Sequence, residues 1–134
     1  MTIDFDKYTE FVDAVTSDSS KDFVSLADRL GDLDRQGANI ERLLTAAVGI
    51  SAEGGEFTEI VKKIAFQGKE LTADVKLHMV KELGDVFWYF SQACMALDVD
   101  FNQILTTNMA KLLARYPAGT FEVNKSENRV QGDI

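Results

Sequence analysis

One cysteine, one histidine and one proline are all that this chain has of three residue types that often organise small proteins. The single cysteine, Cys94, excludes an intrachain disulfide, and its place in an apolar run reads as a buried thiol. The single histidine leaves zinc short of its usual Cys and His ligands. Di-iron helical bundles draw on Glu-x-x-His pairs, and the residue three places before His78 is Val75, so that chemistry is excluded as well. His78 itself reads as a surface or core-edge residue. Pro117 stands near the end of the chain and strand-like alternation is scarce, so little interrupts helix formation. Basic residues are few: 14 Lys and Arg against 22 Asp and Glu give a net charge of −8. Such a chain repels phosphate backbones, and no nucleic-acid partner is expected. No stretch reaches the roughly 18 apolar residues of a membrane span. Asp4, Asp6, Glu10 and Asp13 crowd the start, where a secretory signal would place basic residues and an apolar core. These features set the expectation of a cytoplasmic protein with no membrane partner.

What is present is helical periodicity. The chain, 134 residues long with a hydrophobic fraction of 46%, is expected to form one domain with one core. Residues 2–15 place Ile3, Tyr8, Phe11, Val12 and Val15 at mostly helical spacings, and 20–34 follow with Phe23, Val24, Ala27, Leu30 and Leu33. Gly37 marks a break, and Asn39 can cap a helix running to a stop at Gly68. Thr72 or Asp74 opens another, to about Leu97. Asp98 or Asp100 opens a last one, ending near Tyr116-Pro117, and Asp100 with Gln103 resembles a capping box. Residues from Phe121 to Ile134 form a mostly polar tail. The expected fold is all-α, a four- to five-helix bundle.

Two short acidic phrases stand out against this pattern: Glu53-Gly54-Gly55-Glu56 and Glu82-Leu83-Gly84-Asp85. Each pair of carboxylates is spaced i, i+3 and so shares one helix face, and Glu59 extends the first stripe by a turn. Both phrases interrupt apolar stretches instead of lying on a polar face. Gly54 and Gly55 together cost a helix about 2 kcal/mol relative to alanine, and Gly84 about 1 more. Residues without side chains permit close helix approach or leave room for a ligand. Two such helices face to face would gather four or five like charges, which a cation would have to neutralise. All-oxygen ligation points to Mg²⁺, with Mn²⁺ as the alternative.

Magnesium held by carboxylates is commonly completed by substrate phosphates. Cations and donors suited to phosphate occur together at Asn108, Lys111, Arg115 and Tyr116, the first three on one helical face. The competing explanation is a solvated helix end whose basic residues meet the helix dipole.

The runs Ala47 to Glu56 and Lys81 to Phe87 resemble the all-α nucleoside triphosphate pyrophosphohydrolases, the MazG-like group, known by Glu-x-x-Glu followed by Glu-x-x-Asp on adjacent helices. The segment Asn108 to Pro117 looks like that family's substrate-contacting helix. The resemblance covers about residues 40–121; residues 1–38 match no motif, and 122–134 form the tail. The closing Asn128-Arg129…Gly132-Asp133-Ile134 looks like the end of some virus-encoded members. Gly54 departs from the family, which usually has alanine or a larger helix former there.

The resemblance implies cleavage of a nucleoside or deoxynucleoside triphosphate to its monophosphate and pyrophosphate. It implies Glu53, Glu56, Glu82 and Asp85 as metal ligands, with Glu53 or Glu56 orienting the attacking water. Lys111 and Arg115 would hold phosphates, with Asn108 and Tyr116 near sugar or phosphate. It further implies a homo-dimer or homo-tetramer, which suits the run Phe87-Trp88-Tyr89-Phe90, apolar on every side of a helix. A narrower dUTP, dCTP or phosphoribosyl-ATP pyrophosphatase, a non-catalytic metal- or nucleotide-binding module, and a structural helical protein are the alternatives.

Overall fold

The computed structural model describes residues 3–128. Among the described residues six α-helices follow in order: α1 (Phe5–Val15), α2 (Phe23–Arg35), α3 (Ile40–Gln67), α4 (Ala73–Leu97), α5 (Phe101–Arg115) and α6 (Val123–Glu127). A 3-10 turn at Asp18–Ser20 separates the first two, and no strand occurs among the described residues. The all-α expectation therefore stands. The five anticipated helices are present, and the sixth, α6, is a short one inside the anticipated tail. The closing run at 129–134 lies outside the described residues.

The chain divides into two compact units, residues 1–41 and 42–134. In the first, the Asp4 carboxylate caps α1 by accepting from the Asp6 and Lys7 amides, and Asp22 caps α2 by accepting from Ser25 N–H at 2.7 Å. That bond to Ser25 holds the Asp22 carboxyl below its ordinary value. Lys21 bridges back to the end of α1, on the Asp13 carbonyl (2.8 Å) and carboxylate (3.3 Å). Neither α1 nor α2 buries a residue, and Phe5, Tyr8, Phe11, Val15 and Phe23 are exposed.

The second unit holds the buried apolar residues Ala46, Ile60, Val75 and Cys94. Cys94 is thus the buried free thiol its sequence context implies. Contacts between α3 and α4 pair Arg42 with Gln92 (2.6 Å), Gly49 with Tyr89, and Glu53 with Glu82 and Asp85. As numbers rise along α3 they fall along α4, so the two helices run antiparallel. Gly49 is buried, and a Cβ there would lie 2.0 Å from Tyr89 Cδ1. This is the close approach that glycine permits. Beyond the adjacent residues and the surrounding backbone of the same helix, no heavy atom lies within 4 Å of a Cβ placed at Gly54, Gly55 or Gly84. Of the two explanations sequence offers for those three glycines, close approach falls within the chain and open space remains.

Helix ends follow their local chemistry. Thr72 caps α4 by accepting from Val75 N–H, and Asp100 caps α5 by accepting from Gln103 N–H at 2.7 Å, the first half of the anticipated capping box. α3 stops at Gly68, whose φ of 72° suits glycine. α4 ends differently: Asp98 adopts the left-handed conformation (φ 51°, ψ 47°), and the amides of Asp98 and Val99 both donate to the Cys94 carbonyl. An L side chain bears a steric cost there that glycine does not. Asp98→Gly is therefore expected to raise stability by up to about 1 kcal/mol, read from a thermal or urea melt. Beyond this turn, Phe101 of α5 stacks on Phe87 (ring centroids 4.8 Å apart) and lies 5.0 Å from Phe90. Those contacts tie α5 to α4.

Candidate active site

The antiparallel pairing of α3 and α4 brings the two acidic phrases together. Glu53, Glu82 and Asp85 each offer a carboxylate oxygen, and the three oxygens lie within 4.8 Å of one another. Glu53 and Glu82 are partly buried and Asp85 is exposed. Oxygens on one octahedral Mg²⁺ lie at most about 4.2 Å apart, given Mg–O near 2.1 Å. Small side-chain adjustments bring the triad to that span. The donor set is all oxygen and all anionic, and among the described residues no lysine or arginine forms an ion pair with any of the three. The residues present therefore fit a hard divalent cation.

The grouping differs from the anticipated one in two places. Glu56 is exposed and its carboxylate does not join the triad, although it shares a helix face with Glu53. Glu59, anticipated as an extension of the acidic stripe, is engaged by Lys62 and, at 3.4 Å, by Lys63. The hydrogen bond from Lys62, with a further contribution from Lys63, holds the Glu59 carboxyl below its ordinary value of 4.5. The small stabilisation from these pairs is complete above that ordinary value. It fades as pH falls through the lower value that Glu59 has in the folded chain. Glu59→Gln is expected to leave metal affinity and turnover within about twofold of the parent, since surface pairs of this kind contribute little. A tenfold loss in either would place Glu59 at the site.

The four candidate phosphate-binding residues lie at the C-terminal half of α5 or just beyond it. Asn108 and Lys111 line a cavity of about 350 Å³ with Leu97, Val99, Gln103, Ile104 and Thr107. Tyr116 lines a second cavity, of about 320 Å³, with Leu112, Leu113 and Phe121. The Tyr116 ring lies 5.7 Å from that of Phe121, and the Arg115 guanidinium stands 5.9 Å from the Tyr116 centroid. Asn108 and Lys111 thus share one cavity while Tyr116 belongs to another.

Two residues beside the acidic cluster were not singled out from the chain. Gly49 sets how closely the acid-bearing helices approach. His78, read as a surface or core-edge residue, is exposed but places Nε2 2.9 Å from Glu82 Oε1. The available signal was their i, i+4 spacing, which puts the two side chains side by side on a helix.

The model of the MazG nucleotide pyrophosphohydrolase domain matches residues 41–120. The chain is 34% identical over 101 residues to the "Gene 37 protein" of Mycobacterium phage L5, covering 74% of this chain and 83% of the phage protein. No solved structure gives a significant match. The matched span includes both acidic phrases and the Asn108–Tyr116 segment, and the chain belongs to the MazG nucleotide pyrophosphohydrolase family.

Proposed function

We propose that this protein is a metal-dependent nucleoside triphosphate pyrophosphohydrolase, converting a ribo- or deoxyribonucleoside triphosphate to the monophosphate and pyrophosphate. The observation that carries the reading is the convergence of Glu53, Glu82 and Asp85 from two antiparallel helices, inside the span that defines the family.

Glu53, Glu82 and Asp85 would hold Mg²⁺, or Mn²⁺ in its place. The ion supplies charge neutralisation at the phosphate oxygens as negative charge develops. Glu56, one turn from Glu53 and outside the triad, is suited to orient a water and accept its proton as the water oxygen bonds to phosphorus. The bridging P–O bond between the α and β phosphates then breaks. Lys111 and Arg115 would offset charge on the departing phosphates, and Asn108 and Tyr116 would contact sugar or phosphate. The cavity at Asn108 and Lys111 is mostly apolar, as suits the flat face of a base or sugar beside charged groups.

Val80, Leu83, Phe87 and Trp88 on α4 are all half or more exposed, so an apolar surface runs along the helix that carries two of the triad. A second copy covering that surface would remove it from water, supporting a homo-dimer or homo-tetramer. A cytoplasmic location completes the reading; no helix among the described residues is long and apolar enough to cross a membrane.

A panel of nucleoside triphosphates, with dUTP, dCTP and phosphoribosyl-ATP included, tests the activity and ranks substrates. Turnover with Mg²⁺ or Mn²⁺ that stops on addition of EDTA supports the proposal. Turnover indifferent to EDTA, or none with any member of the panel, overturns it.

A further inference from the structure

One side of α4 carries residues at alternating steps of three and four: Leu77, Val80, Gly84, Phe87 and Ser91. That spacing is the seam along which one helix pairs with another. Leu77, Val80, Phe87 and the adjoining Trp88 are each more than half exposed, so the chain leaves its seam open. Gly84 stands in the middle. Glycine is disfavoured inside a helix, and beyond its neighbours and its own helix backbone no heavy atom lies within 4 Å of a Cβ placed there. The Ser91 hydroxyl donates to the Phe87 carbonyl at 2.9 Å, so it brings no unsatisfied polar group to the seam. Lys81 is exposed on the same edge of α4 as Trp88 and forms no ion pair among the described residues.

We propose that this seam pairs with the same seam of a second copy, the two α4 helices antiparallel, with Phe87 of each seated against Gly84 of the other. The proposal rests on the homo-oligomer reading above and gives it a surface and a register. Its warrant is steric self-complementarity. The seam is small at Gly84 and Ser91 and large at Val80 and Phe87. Val80 precedes Gly84 by as many residues as Ser91 follows Phe87. One antiparallel register therefore sets Gly84 opposite Phe87 and Ser91 opposite Val80 at the same time, and the two-fold axis repeats both contacts. A parallel pair in step would set glycine against glycine and Phe87 against its own copy, a void beside a collision. The antiparallel register also brings Trp88 alongside Lys81 of the second copy, where the ammonium can lie over the indole face. Phe87 and Trp88 leave about 200 Å² uncovered in each copy. Leu77, Val80, Leu83 and the Lys81 stem extend this toward the roughly 800 Å² that each partner gives to a stable dimer.

The experiment is oxidative cross-linking of the full chain with copper phenanthroline, beside sedimentation velocity over a concentration series. Val80→Cys and Ser91→Cys chains are oxidised separately and as an equimolar mixture that has exchanged subunits. The parent, whose Cys94 is buried, is the blank. In the proposed register the mixture forms a disulfide-linked dimer and neither chain does so alone. The two copies of residue 80 would stand about 16 Å apart along the helix axis, beyond the reach of a disulfide. Gly84→Leu fills the gap that Phe87 would occupy and should weaken self-association at least about tenfold, with circular dichroism verifying that the helices are intact. A parent that sediments as a monomer removes the homo-oligomer reading and this pairing together, and leaves the seam to a different molecule. An oligomeric parent whose mixture fails to cross-link, or whose single-cysteine chains cross-link alone, overturns the pairing and leaves the homo-oligomer reading standing. Parent-like association of Gly84→Leu overturns the seating of Phe87 against Gly84.

Discussion

Glu82→Gln and Asp85→Asn should each lower metal-dependent turnover by at least about 10²-fold, while melting no lower than the parent in EDTA. The two halves of this expectation have one cause. Glu53, Glu82 and Asp85 place three carboxylate oxygens within 4.8 Å of one another, with no lysine or arginine among the described residues paired to them. In the absence of an ion, three negative charges that close repel, so neutralising one relieves the fold. With the ion present, the same change removes one of its anionic ligands at the point where charge develops. Loss of one such stabilising contact typically costs about 3–4 kcal/mol of transition-state stabilisation, or 10²–10³ in rate. Both substitutions are close to isosteric, so lost packing does not account for the effect. Steady-state kinetics with Mg²⁺ and a thermal melt in EDTA read the two halves separately. Turnover within tenfold of the parent would remove the residue from the site.

Gly49→Ala should produce the largest loss of stability of any single methyl group added to the chain. The new carbon would lie 2.0–2.3 Å from three atoms of the Tyr89 ring, including Cγ at its base, so the ring or the helices must move. Overpacking of this kind costs about 1–3 kcal/mol, and each kilocalorie lowers the melting temperature of a chain this size by about 3–5 °C. Gly54→Ala, Gly55→Ala and Gly84→Ala should act in the opposite direction on stability. Nothing beyond the local helix backbone meets a Cβ at those positions, and alanine is the better helix former by about 1 kcal/mol. The effect of Gly49→Ala should also reach the site. Gly49 precedes Glu53 by one helical turn and Tyr89 follows Asp85 by one, so separating the helices at that contact separates the carboxylates beyond it. Melting curves and Mn²⁺ affinity measured on the same four variants test both claims. A Gly49→Ala protein as stable as the parent would show that Tyr89 can turn aside without cost.

The contrast among the glycines shows how far the chain could be read. Glycine content marks that a helix is interrupted, but the helix that will face each glycine is decided by tertiary packing. Sequence therefore singled out Gly54, Gly55 and Gly84 beside the acids and passed over Gly49, the one at the crossing. Helix positions were legible because apolar spacing and cap residues act locally: Asp100 caps α5, Gly68 stops α3, and both acidic phrases lie within long helices. The end of α4 near Leu97 was anticipated but its left-handed cap at Asp98 was not, because a left-handed aspartate carries no composition signal as strong as glycine. Local competition explains the rest. Glu59 lies on the acidic stripe, but Lys62 and Lys63 engage it first, and the i, i+3 and i, i+4 spacings that do so are common on any exposed helix. Glu56 shares a face with Glu53 yet stands outside the triad, since a shared face does not guarantee a shared point.

The most direct test of the account is the identity of the phosphorus products, followed by ³¹P nuclear magnetic resonance in one reaction with the substrate ranked first by the panel. Growth of monophosphate and pyrophosphate in equal amounts, with Mg²⁺ present and absent in the Glu82→Gln protein, is the result the account predicts. Growth of diphosphate and inorganic phosphate, or equal product from Glu82→Gln, would contradict it.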